Sequence, residues 1–199
     1  ICNTPILLAP ACSGPLLPSQ ADGSAIVTAD DISYGFNLGL LWSPLDSTRV
    51  GFAYRSKINH KLEGDFEISE VPANASPRDI ALGLVNSGAM AYVTFPETLS
   101  LSVFHQLNPV WSVMADVTRT RWSRLPELRI DFDSTQRDSV VTFALKDVNR
   151  YSVGANYRPG GAWTYRFGVA LDQTPTPNEA VRTPRTPDED RTWFAVGAG

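Results

Sequence analysis

Apolar and polar residues alternate strictly along the segment from Trp163 to Asp172. Positions of one parity carry aromatic and aliphatic side chains, whereas positions of the other parity carry small or charged ones. This period of two residues predicts a β-strand with a single apolar face. The apolar face of a soluble antiparallel strand is usually aliphatic, so an aromatic-rich face favours a strand that meets lipid.

The same alternation recurs in other segments, most clearly from Tyr34 to Trp42, from Val50 to Arg55 and from Arg150 to Tyr157. Turn residues separate the predicted strands at 44–47, 108–109 and 159–161. Longer connections cover about 69–91, 125–146 and 174–190. Short turns at one end and long loops at the other are typical of bacterial outer-membrane barrels, whose short turns face the periplasm. The pattern therefore predicts an all-β fold, an antiparallel transmembrane β-barrel, with about seven strands in this chain.

Aromatic residues gather beside the short turns, where the headgroup layer of a membrane would lie. They are Trp42, Trp111, Tyr157 and Trp163. The alternative is a soluble β-sandwich in which large aromatic side chains fill the core.

The chain divides into two segments of unequal regularity. Residues 1–31 are rich in Pro, Ala and Ser and show no clean period, which predicts an irregular lead-in segment. Residues 32–199 form the predicted partial barrel domain with long extracellular loops. Within these loops, the pattern after Ser76 and Pro77 predicts a short helix, and the alternation through Leu128, Ile130 and Phe132 predicts a strand beyond the membrane.

Composition narrows the function without deciding the fold. The 199 residues are 43% hydrophobic and 19% charged, and no run of about 18 apolar residues predicts a transmembrane helix. A net charge of −4 and a pI near 5.1 give no basic surface for nucleic acid, which we therefore exclude as a partner.

Residues with catalytic or metal-binding potential are sparse. Cys2 and Cys12 fit no metal pattern, and either they form one local disulfide or neither has a role. His60 and His105 stand on strand patterns without acidic neighbours. No nucleophile elbow or glycine-rich phosphate loop is present, so we expect no enzyme, no cofactor and no metal site. The chain starts at Ile1 without a recognisable secretion signal, and we expect it to be an internal piece of a longer protein.

Charged residues fall on the small-residue faces of the predicted strands. If the aromatic faces meet lipid, these charges project into the lumen, where Asp116 and Asp172 accompany four cations. The four are candidate contacts for the carboxylate of an amphipathic ligand: Arg55, Lys57, Arg150 and Arg166. The alternative is that each forms an ordinary ion pair between strands.

Several stretches carry a family resemblance. They are Tyr34 to Leu41, Thr48 to Ser56, Phe95 to Thr98, Trp122-Ser123, Gly168 to Pro177 and Arg182 to Trp193. In order and spacing, across roughly residues 30–199, the chain resembles the FadL-type outer-membrane transporters of long-chain fatty acids and other hydrophobic compounds. The resemblance implies a 14-stranded barrel, of which this chain would be the C-terminal portion.

The resemblance also implies a function and a location. It implies passive uptake of a long-chain fatty acid or hydrocarbon through a barrel gated by an N-terminal hatch, which would precede this chain. We expect a protein of the Gram-negative outer membrane that contacts outer-membrane lipid and is monomeric when full length. The alternative is a surface protein, such as an adhesin or structural barrel, that binds partners through its long loops.

The last long connection is rich in proline. Because proline fixes the backbone, the segment from Pro175 to Arg191 predicts a stiff extracellular crossing. Ion pairs are expected to pin this loop, and the candidate residues are Asp172, Asp188, Asp190 and Arg191.

Overall fold

The computed structural model describes residues 24–69, 85–182 and 188–199. These residues fall into two compact units. The first unit contains residues 24–31, 61–69, 85–92 and 129–140. The second contains the other described residues, and it holds most of the strands.

Strands dominate the described residues. They are β1 (Ser24–Asp30), β2 (Asn37–Leu45), β3 (Thr48–Arg55), β4 (Ile58–Ser69), β5 (Ser87–Phe95), β6 (Thr98–Gln106), β7 (Trp111–Thr120), β8 (Glu127–Phe132), β9 (Ser139–Thr142), β10 (Val148–Tyr157), β11 (Tyr165–Asp172) and β12 (Arg191–Ala198). One sheet has the order β12-β11-β10-β7-β6-β3-β2, and the other has the order β1-β4-β5-β8-β9. The prediction of an all-β antiparallel fold is confirmed.

The seven-stranded sheet joins neighbouring strands through the predicted short turns. β2 pairs with β3, β6 with β7 and β10 with β11, all antiparallel. The register aligns residues of like character across the strands, so that Val153 lies opposite both Ala115 and Val169. Because side chains alternate between the two faces, this register gives the whole sheet one apolar and one polar face.

The apolar face is exposed, whereas a soluble sheet would bury it. Val153 keeps 60% of its surface exposed and Phe194 keeps 79%, and neighbouring strands contribute Leu40, Leu101 and Phe167 to the same exposed surface. The opposite face carries Gly, Ala, Ser and Thr together with scattered charges. An aromatic and aliphatic outer surface behind a small polar inner face is the arrangement of a transmembrane barrel wall.

One predicted strand is divided in two. The sequence predicts a continuous strand near 49–68, but β3 ends at Arg55 and β4 begins at Ile58 in the other sheet. The buried Ser56 between them bonds twice to Phe36, through its amide to the carbonyl oxygen and through its hydroxyl oxygen to the amide, each at 2.9 Å. Alternation along one strand does not reveal such a change of partner.

The first unit has a small core of its own. Phe66 and Phe132 meet edge to face at 4.9 Å, and Phe66, Ala89 and Ala91 are buried. β1 pairs with β4 and β5 pairs with β8, both antiparallel. Paired aromatic side chains on facing strands give this unit packing that does not depend on a membrane.

Three loop predictions need correction or confirmation. The irregular lead-in over 1–31 is wrong for Ser24–Asp30, which pair with Glu63 to Ser69 as a strand. The loop over 69–91 is wrong from Ser87 onwards, because small residues there form β5 and pack against β8. The strand predicted through Leu128, Ile130 and Phe132 is confirmed as β8, and its position beyond the membrane stays a prediction.

Some predictions concern residues that the structure does not describe. Cys2, Cys12 and the short helix after Ser76 lie outside the described residues, apart from Val85 at the end of that helix pattern. No helix within 24–69, 85–182 or 188–199 is long and apolar enough to cross a membrane.

Candidate functional site

The polar face of the seven-stranded sheet bears a pocket near the ends of β7, β10 and β11 that lead into the long loops. Its cavity volume is about 550 Å³. The apolar part of its lining is Trp122, Leu125, Phe143, Leu145, Val148 and Pro175. The polar part is Thr118, Thr120, Arg150, Asp172, Gln173, Thr176, Asp188 and Arg191. A lining that combines an apolar wall with convergent polar groups is typical of small-molecule sites.

The apolar wall comes from loops that backbone hydrogen bonds hold in place. The amides of Phe143 and Ala144 both donate to the carbonyl oxygen of Pro126, at 2.9 and 3.0 Å. The amide of Lys146 donates to the carbonyl oxygen of Pro175 at 2.9 Å. Ala144 has φ +49°, a left-handed conformation that costs a residue other than glycine about 1 kcal/mol or more. These bonds fix the segment that carries Phe143 and Leu145 into the wall.

Trp122 reaches the pocket from a 3-10 turn, Trp122–Arg124, directly after β7. Two carboxylates hold this turn. Glu97 accepts hydrogen bonds from Arg124 at 3.0 to 3.2 Å, and Asp147 accepts one from the amide of Ser123 at 3.1 Å. The hydrogen bonds from Arg124 hold the pKa of Glu97 below its ordinary value, and those from Ser123 do the same for the pKa of Asp147.

Two arginines line this pocket: Arg191, which lies 3.5 Å from Asp172 and from Asp188, and Arg150. Arg150 lies on β10 with Thr118 on one side and Asp172 on the other. The nearest carboxylate in the ladder, that of Asp172, is engaged by Arg191 at 3.5 Å. Within the described part of the chain, Arg150 makes no ion pair or side-chain hydrogen bond. Its guanidinium donors therefore remain available beside an apolar wall.

The other three candidate cations lie away from the pocket. Arg55 ends β3 and donates through Nε to Asn37 at 3.2 Å, and Lys57 is exposed in the break before β4. Arg166 pairs with Asn156 near the short turn. It is six ladder positions from Asp172, about 20 Å along the strand. The structure therefore does not bring the four cations into one site.

The proposed loop-pinning residues do come together. Arg191 lies 3.5 Å from both Asp172 and Asp188. Asp188 accepts the hydroxyl hydrogen of Thr174 at 2.8 Å, and Asp190 accepts the amide hydrogen of Thr174 at 2.7 Å. Asp190 thus binds backbone, and the described residues give it no ion pair. Thr174 is buried at the centre of this network.

A second depression of about 620 Å³ lies on the polar face nearer the short turns. Small residues form much of its lining, including Gly51, Ser102 and Gly154. The guanidinium carbon of Arg49 lies 4.7 Å from the ring centre of Phe104, also in this lining, which is a cation–π geometry. The polar face of the sheet therefore carries apolar surface in two depressions, one near the long loops and one nearer the short turns.

The apolar face carries an aromatic cluster at the short-turn end. Trp111 and Tyr157 are 4.6 Å apart between ring centres, and Tyr157 and Tyr165 are 6.2 Å apart. These rings occupy facing positions of β7, β10 and β11. Adjacent aromatic rings at one end of an exposed apolar face are typical of the girdle that marks a membrane interface.

Sequence reasoning missed most of the pocket. Phe143 and Leu145 come from a long loop without a clear period, and Trp122 was noted only as part of a family resemblance. Glu97, which fixes the turn of Trp122, was likewise only part of such a motif. Within the described residues, no group of three or more His, Cys, Asp or Glu side chains could hold a metal ion.

An exposed apolar face, an aromatic girdle and a polar inner face define the wall of an outer-membrane β-barrel. Comparison with known proteins agrees. The model of the family described as outer membrane protein transport protein (OMPP1/FadL/TodX) matches residues 3–199, and the chain belongs to this family. Its location is the outer membrane of Gram-negative bacteria.

Curated relatives show the same relationship. The chain is 28% identical over 179 residues to the long-chain fatty acid transport protein of Escherichia coli O6:H1, covering 87% of this chain and 40% of that protein. It is 31% identical over 186 residues to outer membrane protein P1 of Haemophilus influenzae, covering 92% and 38% respectively. The chain therefore spans about two fifths of the length of these relatives.

Solved structures share the fold. A Pseudomonas aeruginosa FadL homologue superposes with a TM-score of 0.76 and 31% identity, over 94% of this chain and 44% of that one. The Pseudomonas putida toluene transporter TodX superposes with a TM-score of 0.54 and 23% identity, over 83% and 40%. The second likeness shows the fold alone.

Proposed function

We propose that this chain forms part of a channel for passive uptake of long-chain fatty acids or other hydrophobic compounds. Family membership supports outer-membrane transport. The name of one relative supports the substrate class, since it is a long-chain fatty acid transport protein. The proposal also includes passive movement of the substrate and gating by an N-terminal hatch. Both of these parts rest on the family resemblance.

The observation that carries the proposal is the guanidinium of Arg150, which has no partner among the described residues and lies beside an apolar wall. A fatty acid could place its alkyl chain against Trp122, Phe143 and Leu145 and its carboxylate on Arg150. Charge-assisted hydrogen bonds to a carboxylate are among the stronger polar contacts, and an apolar wall strengthens them by excluding water. A neutral hydrocarbon would contact the apolar wall but would make no charge-assisted hydrogen bond with Arg150.

Binding by the full-length protein in detergent tests this substrate class. Titration calorimetry would compare a long-chain fatty acid, the alcohol of equal length and an alkylbenzene. We expect saturable binding that prefers the carboxylate, and we expect Arg150→Gln to weaken fatty acid binding about tenfold or more with little effect on the alcohol. Arg158→Gln, in the exposed short turn, makes the same change of charge and is the control.

Each other result changes the interpretation. Equal binding of all three ligands would contradict a role for Arg150 and indicate a general hydrocarbon channel. No saturable binding of any ligand would contradict the transport proposal and favour a surface protein that works through its loops.

A further inference from the structure

The apolar face of the seven-stranded sheet becomes charged at the end opposite the aromatic girdle. On β7 and β6 the register pairs Arg119 with Leu99. The ladder continues past the strand ends, where the amide of Arg121 donates to the carbonyl oxygen of Glu97 at 3.1 Å. Arg119, Arg121 and Glu97 therefore lie on the side of the sheet that carries the exposed apolar residues.

The position of Arg119 matches the far boundary of a membrane. It lies eight positions along the same strand from Trp111 of the aromatic cluster. At about 3.4 Å per residue this is roughly 27 Å along the strand, or about 21 Å along the membrane normal for a tilt near 40°. The apolar band of such barrels is about 25 Å tall. Arg119 thus lies where lipid headgroups begin.

Three arginines, here called the rim arginines, share this site: Arg119, Arg121 and Arg124. Arg119 lies 3.5 Å from Asp147, and Arg121 and Arg124 lie 3.3 and 3.0 Å from Glu97. Three cations over two carboxylates leave one net positive charge. The carboxylate of Glu97 is buried, its residue being only 8% exposed, whereas the arginine side chains are about half exposed.

The buried carboxylate orients the guanidinium groups without using all their donors. A guanidinium has five N–H donors, and Arg119 and Arg121 each direct one at a carboxylate. The remaining donors have no partner among the described residues. Fixed, outward guanidinium groups with a net positive charge match a phosphate, which arginine binds in bidentate geometry.

We propose that the rim arginines bind the phosphate group of an anionic lipid in the leaflet on the long-loop side. The acyl chains of this lipid lie against the exposed apolar face directly below, on Leu99, Leu101 and Tyr151. An apolar surface adjoining the cations favours a phosphorylated lipid over a free phosphate ion, because the lipid uses both parts of the site. This interaction does not depend on what the barrel transports.

Lipid retention by the full-length protein tests the proposal. Native mass spectrometry would count lipids kept after purification from mixed micelles of phosphatidylcholine with and without phosphatidic acid. We expect preferential retention of phosphatidic acid, reduced roughly fivefold in Arg119→Gln and reduced less in Arg119→Lys, which keeps the charge and loses the bidentate geometry. Arg166→Gln removes one charge from the opposite face and should retain lipid like the unmodified protein.

Folding and competing ligands need their own controls. Arg119→Gln leaves both Glu97 contacts in place, and the change in gel mobility on heating would verify that each variant forms a barrel. Equal retention in the unmodified protein and Arg119→Gln, or an equal loss in Arg166→Gln, would overturn the proposal. Binding of inorganic phosphate without retention of phosphatidic acid would also overturn it, because the site would then hold an ion and no lipid.

Discussion

Thr174 donates its hydroxyl hydrogen to Asp188 across 2.8 Å, and its amide donates to Asp190 at 2.7 Å. This buried threonine thus joins the start of the proline-rich loop to the residues that precede β12. Its hydroxyl also accepts the amide hydrogen of Thr176 at 3.2 Å. The hydroxyl group of Thr174 therefore connects Thr176, early in the loop, with Asp188 near its end.

Replacing this threonine should loosen the loop. Thr174→Val keeps the shape and leaves Asp188 without a hydroxyl donor, which should cost about 1 to 2 kcal/mol locally. Limited proteolysis of the folded protein should then cut the loop faster. Thr176→Val is the matched control, since Thr176 is similarly buried and contributes its amide to the network. Equal cutting rates in the two variants would contradict a special role for the Thr174 hydroxyl.

Arg191→Ala tests the ionic part of the same network. The substitution removes a cation that lies 3.5 Å from both Asp172 and Asp188. Because this arginine is half exposed, we expect a modest loss of about 1 kcal/mol or less, together with faster proteolysis at low salt. The difference from the unmodified protein should shrink in high salt. Unchanged protease resistance at low salt would show that the loop does not need this ion pair.

Acidification should weaken the turn that carries Trp122. The hydrogen bonds from Arg124 depress the pKa of Glu97 below 4.5, so folding favours its ionised form. A depressed pKa gives stability that is present above the unfolded value and lost as the pH falls through the folded value. The free energy of unfolding should therefore decrease below about pH 4.5, and less steeply in Glu97→Gln. Parallel pH profiles for the two proteins would refute this assignment.

An arginine introduced on each face of the sheet in turn should show which face contacts lipid and which faces the lumen. Val153 lies in the middle of β10 on the apolar face, and Ser152 beside it lies on the polar face. In lipid vesicles, Val153→Arg should lower the free energy of unfolding by about 2 to 4 kcal/mol, whereas Ser152→Arg should cost much less. Denaturant titration measures both. Similar small effects at both positions would indicate that neither face meets hydrocarbon.

Periodicity predicts the strands of this fold well because lipid on one side imposes strict alternation. Val153 and Val169 face each other as that pattern requires. β5 escaped prediction because its first residues, Gly88 to Ala91, are small or flexible and look like a loop. Alternation also cannot show where a strand changes partner, as the chain does around Ser56.

The pocket was harder to predict because its walls meet only in the folded chain. Arg150 was one of four equivalent candidates until the structure showed which cation adjoins apolar loops. Trp122 and Phe143 are separated by a long connection, and the Glu97–Arg124 contact joins residues 27 apart in sequence. No local pattern encodes such contacts.

The five tryptophans of the chain occupy three kinds of surroundings. Trp42, Trp111 and Trp163 lie by the short turns, Trp193 is opposite Ala170 on the polar face, and Trp122 lines the pocket. Emission from the first three should therefore report on bilayer composition, and that from Trp122 on occupancy. A brominated fatty acid should quench Trp122 while brominated phospholipids quench the short-turn group. The molecule thus carries two intrinsic optical reporters that separate what fills the barrel from what surrounds it.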